Sequence, residues 1–314
     1  AIGQKIRGFR FRSSQPILYP ILDKLIAAGR YVRPSNVAKA VLSLLSHDPL
    51  LERLLAQPAD VEGAEQFRVA VRGISRVPLL QTLMKDCAIP DLRFEALFNT
   101  MRRVALTHLP ELEPSRELLD FLSTLAMHCF TNDYLYPERD DEVALVAELQ
   151  ETISLGIDRS ESISLTNLLC LATYRPIHQL LPASALTALD TVPELRERIF
   201  AEPLIERELI PEIPSLGVIT DITSIKVRKQ YENNPYPRWV RAHVRAKPVS
   251  VDAIFNQSAL KFRSECSLNL ANPEILIAGC GTGQHAIESA ATWCGSKLLA
   301  VDISLASLSY AKRK

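Results

Sequence analysis

Three glycines at alternate positions, Gly279, Gly281 and Gly283, follow a short apolar run, Ile275-Leu-Ile-Ala278. An aspartate, Asp302, closes a second apolar run, Leu298-Leu-Ala-Val301. These residue types in this order can hold a nucleotide-like ligand. One glycine permits a tight turn, one lets the backbone come close to a ligand, and one lets a following helix pack close to the strand. The helix predicted from Gln284 turns its N-terminal N–H groups toward whatever lies over the turn. A carboxylate about 20 residues on, at the end of the second strand, can accept both hydroxyls of a ribose. Both apolar runs read as short strands, and Pro273 and Gly279 bound the first, which is expected to be covered on both faces.

The spacing narrows the ligand. A dinucleotide turn requires a glycine at the sixth position of G-x-G-x-x-G, and here that position is Gln284. The stretch Glu274-Ile-Leu-Ile-Ala-Gly-Cys-Gly-Thr-Gly-Gln-His285 resembles motif I of the class I S-adenosylmethionine-dependent methyltransferases. The resemblance implies that Gly279, Gly281 and Gly283 shape a turn facing the methionine and ribose parts of the cofactor. Cys280 and Gln284 would contact it through backbone groups. Asp302, with Ile303 beside it, would hold the ribose. His285, at the start of the helix, reads equally well as a cofactor neighbour or a solvated side chain.

A second constellation precedes the first: Gln230-Tyr-Glu-Asn-Asn-Pro-Tyr-Pro-Arg-Trp239. A helix there must end before Pro235, and the aromatic–proline turn that follows is stiff. Two readings stand side by side. In one the segment is a lid, with Tyr231 near the adenosylmethionine and Arg238 near its carboxylate or the substrate. In the other it is a rigid linker whose aromatics plug a domain interface. This segment, the glycine motif and Val301-Asp-Ile-Ser-Leu-Ala-Ser-Leu-Ser-Tyr-Ala-Lys312 together are similar to a bacterial methyltransferase family whose members often carry tetratricopeptide repeats. Cys129-Phe-Thr-Asn-Asp-Tyr134 and Leu171-Ala-Thr-Tyr-Arg-Pro-Ile-His178 are weaker points of the same resemblance.

The elements that must position these residues are mostly helical. From Ile17 to about Leu209 apolar residues recur at three- and four-residue spacing, and no period near 34 residues emerges. Expected caps are Ser35 or Asn36, Asp48, Asp91, a capping box at Thr191-Val-Pro-Glu194, and Ser304. Helices are expected over Ser160–Tyr174 and Ser250–Ser267. His128 and Cys129 are neighbours on one helix, do not face each other, and read as a core histidine and a buried thiol. Ala1 to Pro16 reads as basic, either a frayed leader or the tail of a preceding domain.

The expected organisation is a non-repeating helical domain over 1–216, a linker and lid over 217–272, and over 273–314 the first βαβ of a Rossmann-like α/β domain. Only two of about seven strands of such a sheet are present, so the chain is expected to be a piece cut inside its catalytic domain. Basic and acidic residues number 36 each, and the zero net charge gives no general pull toward nucleic acid or a membrane surface. The six cysteines are single and none forms C-x-x-C. That argues against a metal ribbon or disulfide framework and for a reducing, cytoplasmic setting.

These features converge on S-adenosylmethionine-dependent methyl transfer to an unidentified acceptor, with no catalytic base assigned. One alternative is a non-catalytic scaffold whose helical domain binds a protein partner and whose cofactor fold is vestigial. A nicotinamide-dependent oxidoreductase is a third.

Overall fold

Apolar residues every three or four positions fold most of the described chain into helices, and among the described residues only ten form strands, Glu274–Ala278 (β1) and Lys297–Val301 (β2). The computed structural model describes residues 6–29, 32–182, 187–244, 247–257 and 272–314. The chain divides into two compact units between Leu204 and Ile205, with 29–31 counted in the second. Ser215–Gly217, read from sequence as the boundary, lies within the second unit. No helix among the described residues is long and apolar enough to cross a membrane.

In the first unit Arg116–Thr131 is the central helix. It is buried without interruption from Phe121 to Thr131, as expected of a helix that is apolar nearly all round. Helices Pro78–Asp86, Ala64–Ile74 and Leu165–Ala172 pack on it, and Phe121 meets Phe67 edge-on at 6.0 Å. Buried hydroxyls are satisfied locally: Thr124 and Thr131 donate to carbonyls four residues back, both at 2.8 Å. The helix ends with Asp133 and Tyr134 at φ 56° and 55°, and the Tyr134 N–H returns to the Cys129 carbonyl at 2.8 Å.

His128 is fully buried. Its Nδ1 lies 3.1 Å from the Met84 carbonyl and its Nε2 2.7 Å from the Tyr136 hydroxyl. The neutral ring satisfies both: Nδ1–H donates to the carbonyl and Nε2 accepts from the phenol. Burial, and secondarily the Arg198 charge, hold its pKa down to about 4, against the Met84 carbonyl's upward pull. The unfolded chain therefore binds a proton that the fold refuses between pH 6.5 and about 4. Stability is complete above this window and falls as pH drops through it. Between pH 7 and pH 5 the loss attributable to His128 is expected to be about 2 kcal/mol. Urea unfolding of wild type and His128→Gln at both pH values tests this: the variant should lack that part of the pH dependence.

The neighbouring thiols are inert. Burial pushes Cys87, Cys129 and Cys170 up to about 12, so each stays protonated at neutral pH.

Two expected helix starts move for one shared reason. The second helix begins at Pro34 with Arg33 as its N-cap, not at Ser35 or Asn36, and Pro193 follows Val192 as N-cap with no side-chain bond from Thr191. Proline at the first helical position carries a preset φ and fixes the boundary itself. Asp48, Asp91 and Ser304 cap as expected. The helix expected over Ser160–Tyr174 is shorter, Leu165–Ala172, because Ser160 takes a left-handed φ of 57° and Ser164 caps instead. The expected Ser250–Ser267 helix is seen as Val251–Gln257, with Ser250 just before it, and 258–267 lie outside the described residues. The leader is not frayed where it is described. Ile6 and Phe11 pack on the core, and the Phe11 N–H donates to Ser43 Oγ at 3.0 Å.

In the second unit β1 and β2 pair in parallel, Glu274 with Lys297 through Ala278 with Val301. Helix Gln284–Thr292 joins them, since parallel strands need a crossover. Ile275 and Ile277 alternate onto one face and form a small core with Cys280, Ala286, Leu298, Ala300 and Leu308. Coverage on both faces is not what the structure has. Leu276 and Leu299, paired in register, lie on the opposite face and are 64% and 60% exposed. Among the described residues, the two helices that follow the strands contribute Ala286 and Leu308 to the Ile275–Ile277 face, and alternation along each strand points Leu276 and Leu299 the other way.

Candidate functional site

The turn after β1 is built from three left-handed glycines, Gly279, Gly281 and Gly283, at φ 72°, 52° and 80°. Such angles are strained for other residues. Gly283 also allows a close approach: a Cβ there would sit 2.5 Å from Ala311 Cβ, on helix Leu305–Arg313. A Cβ on Gly279 would meet nothing within 4 Å, so that side of the turn is open. The N–H groups of Gly279 and Cys280 both donate to the Val301 carbonyl, at 2.9 and 3.0 Å, and Gly283 N–H closes back onto the Cys280 carbonyl at 3.0 Å. Helix Gln284–Thr292 starts directly after Gly283, so its first N–H groups lie at the turn.

Asp302 stands at the end of β2 and faces this turn. Its Oδ2 accepts from Gly281 N–H at 2.7 Å and its Oδ1 from Ser304 N–H at 3.0 Å. A carboxylate has about four acceptor positions, so these two bonds orient it while leaving capacity for two hydroxyl donors. Asp302 is partly exposed and Ile303 is 36% exposed beside it. Cys280 is buried, and its thiol pKa is raised by that burial and then by the Asp302 charge. Gln284 Nε2 donates to the Arg241 carbonyl at 3.4 Å. His285 is exposed.

The Pro235–Trp239 segment is fastened to the turn by hydrogen bonds. Trp239 Nε1 donates to the Thr282 carbonyl at 2.9 Å, and Thr282 Oγ1 donates to the Pro237 carbonyl at 2.7 Å. The Tyr310 hydroxyl donates to the Trp239 carbonyl, and the two rings meet at 6.0 Å. The Tyr236–Pro237 peptide is cis. The Tyr236 carbonyl would lie 3.5 Å from a Cβ on Gly281. Trp239 is thus an anchor inside the second unit, 8% exposed. Arg238 is half-buried between the two anchored residues Pro237 and Trp239. Tyr231 is 38% exposed on helix Ile222–Asn233, and none of its described contacts reaches the glycine turn.

One contributor escaped sequence reading. Glu232 accepts from Leu305 N–H at 2.8 Å through Oε1 and from Ala306 N–H at 3.0 Å through Oε2. It caps the helix that follows Asp302, alongside Ser304 Oγ on Ser307 N–H. Two carboxylates thereby lie at one helix N-terminus, where the dipole favours negative charge. The pairing joins positions more than 70 residues apart, and no local spacing signals it.

Comparison with family models, with curated proteins and with solved structures finds no match to this chain.

Proposed function

We propose that the second unit binds S-adenosylmethionine and that the protein transfers its methyl group to an acceptor of unassigned chemistry. The observation carrying this reading is the Asp302 carboxylate, oriented by Gly281 N–H at 2.7 Å, at the end of β2 beside a turn of left-handed glycines. A ribose placed there would bring its hydroxyls to Asp302, and the open side of Gly279 leaves room for backbone contact with the cofactor. On this reading β1, its helix and β2 are the start of a Rossmann-like sheet, and the bare Leu276–Leu299 face is a surface such a sheet would cover. Gln284 at the sixth motif position weighs against a dinucleotide.

Methyl transfer from a sulfonium needs alignment more than covalent help, and alignment can supply roughly 7–11 kcal/mol. The glycine turn and Asp302 would position the cofactor. The Pro235–Trp239 segment, tied to Thr282, would hold the turn's conformation. Calorimetric titration of the full-length protein with adenosylmethionine tests the proposal. One saturable site is expected, with NADH failing to compete. No saturable binding would favour a non-catalytic scaffold, and tighter binding of NADH would favour a nicotinamide enzyme.

A further inference from the structure

The first unit contains a cavity of about 460 Å³ between the N-terminal segment, helix Pro34–Leu45 and the turn at Pro90–Arg93. Its wall is pinned in place. Phe11 N–H donates to Ser43 Oγ at 3.0 Å, and His47 Nε2 donates to the Phe11 carbonyl at 3.1 Å.

The charges lining the cavity do not balance. Asp91 is occupied by Arg93: Oδ1 accepts from its N–H at 3.0 Å and its Nε at 3.3 Å, and Oδ2 from Nη2 at 3.1 Å. That pair cancels. Arg10 and Lys39 also line the cavity, and among the described residues neither has a carboxylate partner. Two uncompensated cations therefore share one concavity in a chain whose net charge is zero. Concave sites with unbalanced charge concentrate ions of the opposite sign, and this volume suits a small molecule.

A second groove, of about 620 Å³, shares Arg10 and Phe11 with the first. There Phe9, 55% exposed, meets Phe11 edge-on at 4.9 Å. A planar group attached to an anion held by Arg10 and Lys39 would find an aromatic surface within reach.

We infer that this cavity is a binding site for a small phosphate-bearing ligand, with Arg10 and Lys39 as the phosphate-holding residues. It is independent of the glycine turn and stands or falls separately from methyl transfer.

The test is calorimetric titration of the full chain at low salt with pyrophosphate and, separately, with adenosine monophosphate. Saturable binding is expected, and it should weaken at least about tenfold, the loss of one charge-assisted bond or more, in the double variant Arg10→Gln/Lys39→Gln. The double variant Lys24→Gln/Arg159→Gln removes the same charge from exposed positions that do not line the cavity and should leave binding unchanged. Tighter binding of the nucleotide would place its base on the Phe9–Phe11 groove, whereas equal binding would confine recognition to phosphate. The inference is overturned by absent binding of both probes at millimolar concentration, or by equal loss in the two double variants. A single-stranded oligonucleotide that binds far more tightly than either probe, with steep salt dependence, would also overturn it.

Discussion

Replacing Arg102 by leucine is expected to destabilise the first unit by about 3–5 kcal/mol, the usual penalty for breaking a buried ion pair from one side. Arg102 is 1% exposed. Its Nη2 donates to the Pro137 carbonyl at 2.7 Å and lies 3.9 Å from Glu142 Oε1. The guanidinium stacks 4.2 Å from the centre of the Tyr174 ring, and that tyrosine's hydroxyl donates to Glu142 Oε1 at 2.7 Å. Glu142 Oε2 accepts from Arg139 N–H at 3.0 Å. Removal of the arginine leaves a carboxylate that is 3% exposed with hydrogen bonds but no counter-charge.

Two of the guanidinium nitrogens, Nε and Nη1, have no hydrogen-bond partner among the described residues. The native pair therefore pays some desolvation without return. The double variant Arg102→Leu/Glu142→Leu should accordingly recover much of the loss. A denaturation cycle over wild type, both single variants and the double variant measures the coupling. A single variant within about 1 kcal/mol of wild type would show that the pair does not govern the stability of this core.

The second expected result concerns Asp302. On the proposed reading, Asp302→Ala should raise the dissociation constant for adenosylmethionine about 100-fold, the equivalent of one or two hydrogen bonds to a charged group. The variant also deprives Gly281 and Ser304 of their carboxylate acceptor. Two measurements separate these effects. Calorimetry reads cofactor affinity, and amide hydrogen exchange at Gly281 without ligand reads the turn. Faster exchange with unchanged affinity would make Asp302 a structural cap alone and remove the basis for assigning it the ribose. Loss of affinity with little change in exchange would assign it to the ligand.

How much of this could be read from residues alone varies with the range of the interaction. The helical character of the first unit was legible because burial imposes a period near 3.6 on local sequence. The caps at Asp48, Asp91 and Ser304 were legible because capping spans only three residues. The starts at Pro34 and Pro193 were misplaced because polar side chains were weighed above a proline that already carries the helical φ. A strand pattern such as Ile275–Ala278 cannot tell one covered face from two, since an apolar run is compatible with both.

By itself, then, the sequence determined what neighbours along the chain can enforce: helices, a glycine turn between two short strands, and an acid after the second. Only the tertiary structure decided that Glu232 caps the helix after Asp302, that Trp239 bonds the Thr282 carbonyl, and that Arg102 lies between Glu142 and Tyr174. Those contacts join residues 40 or more positions apart. Their partners are chosen by which side chains folding brings within hydrogen-bond or stacking distance, and no local spacing records that choice.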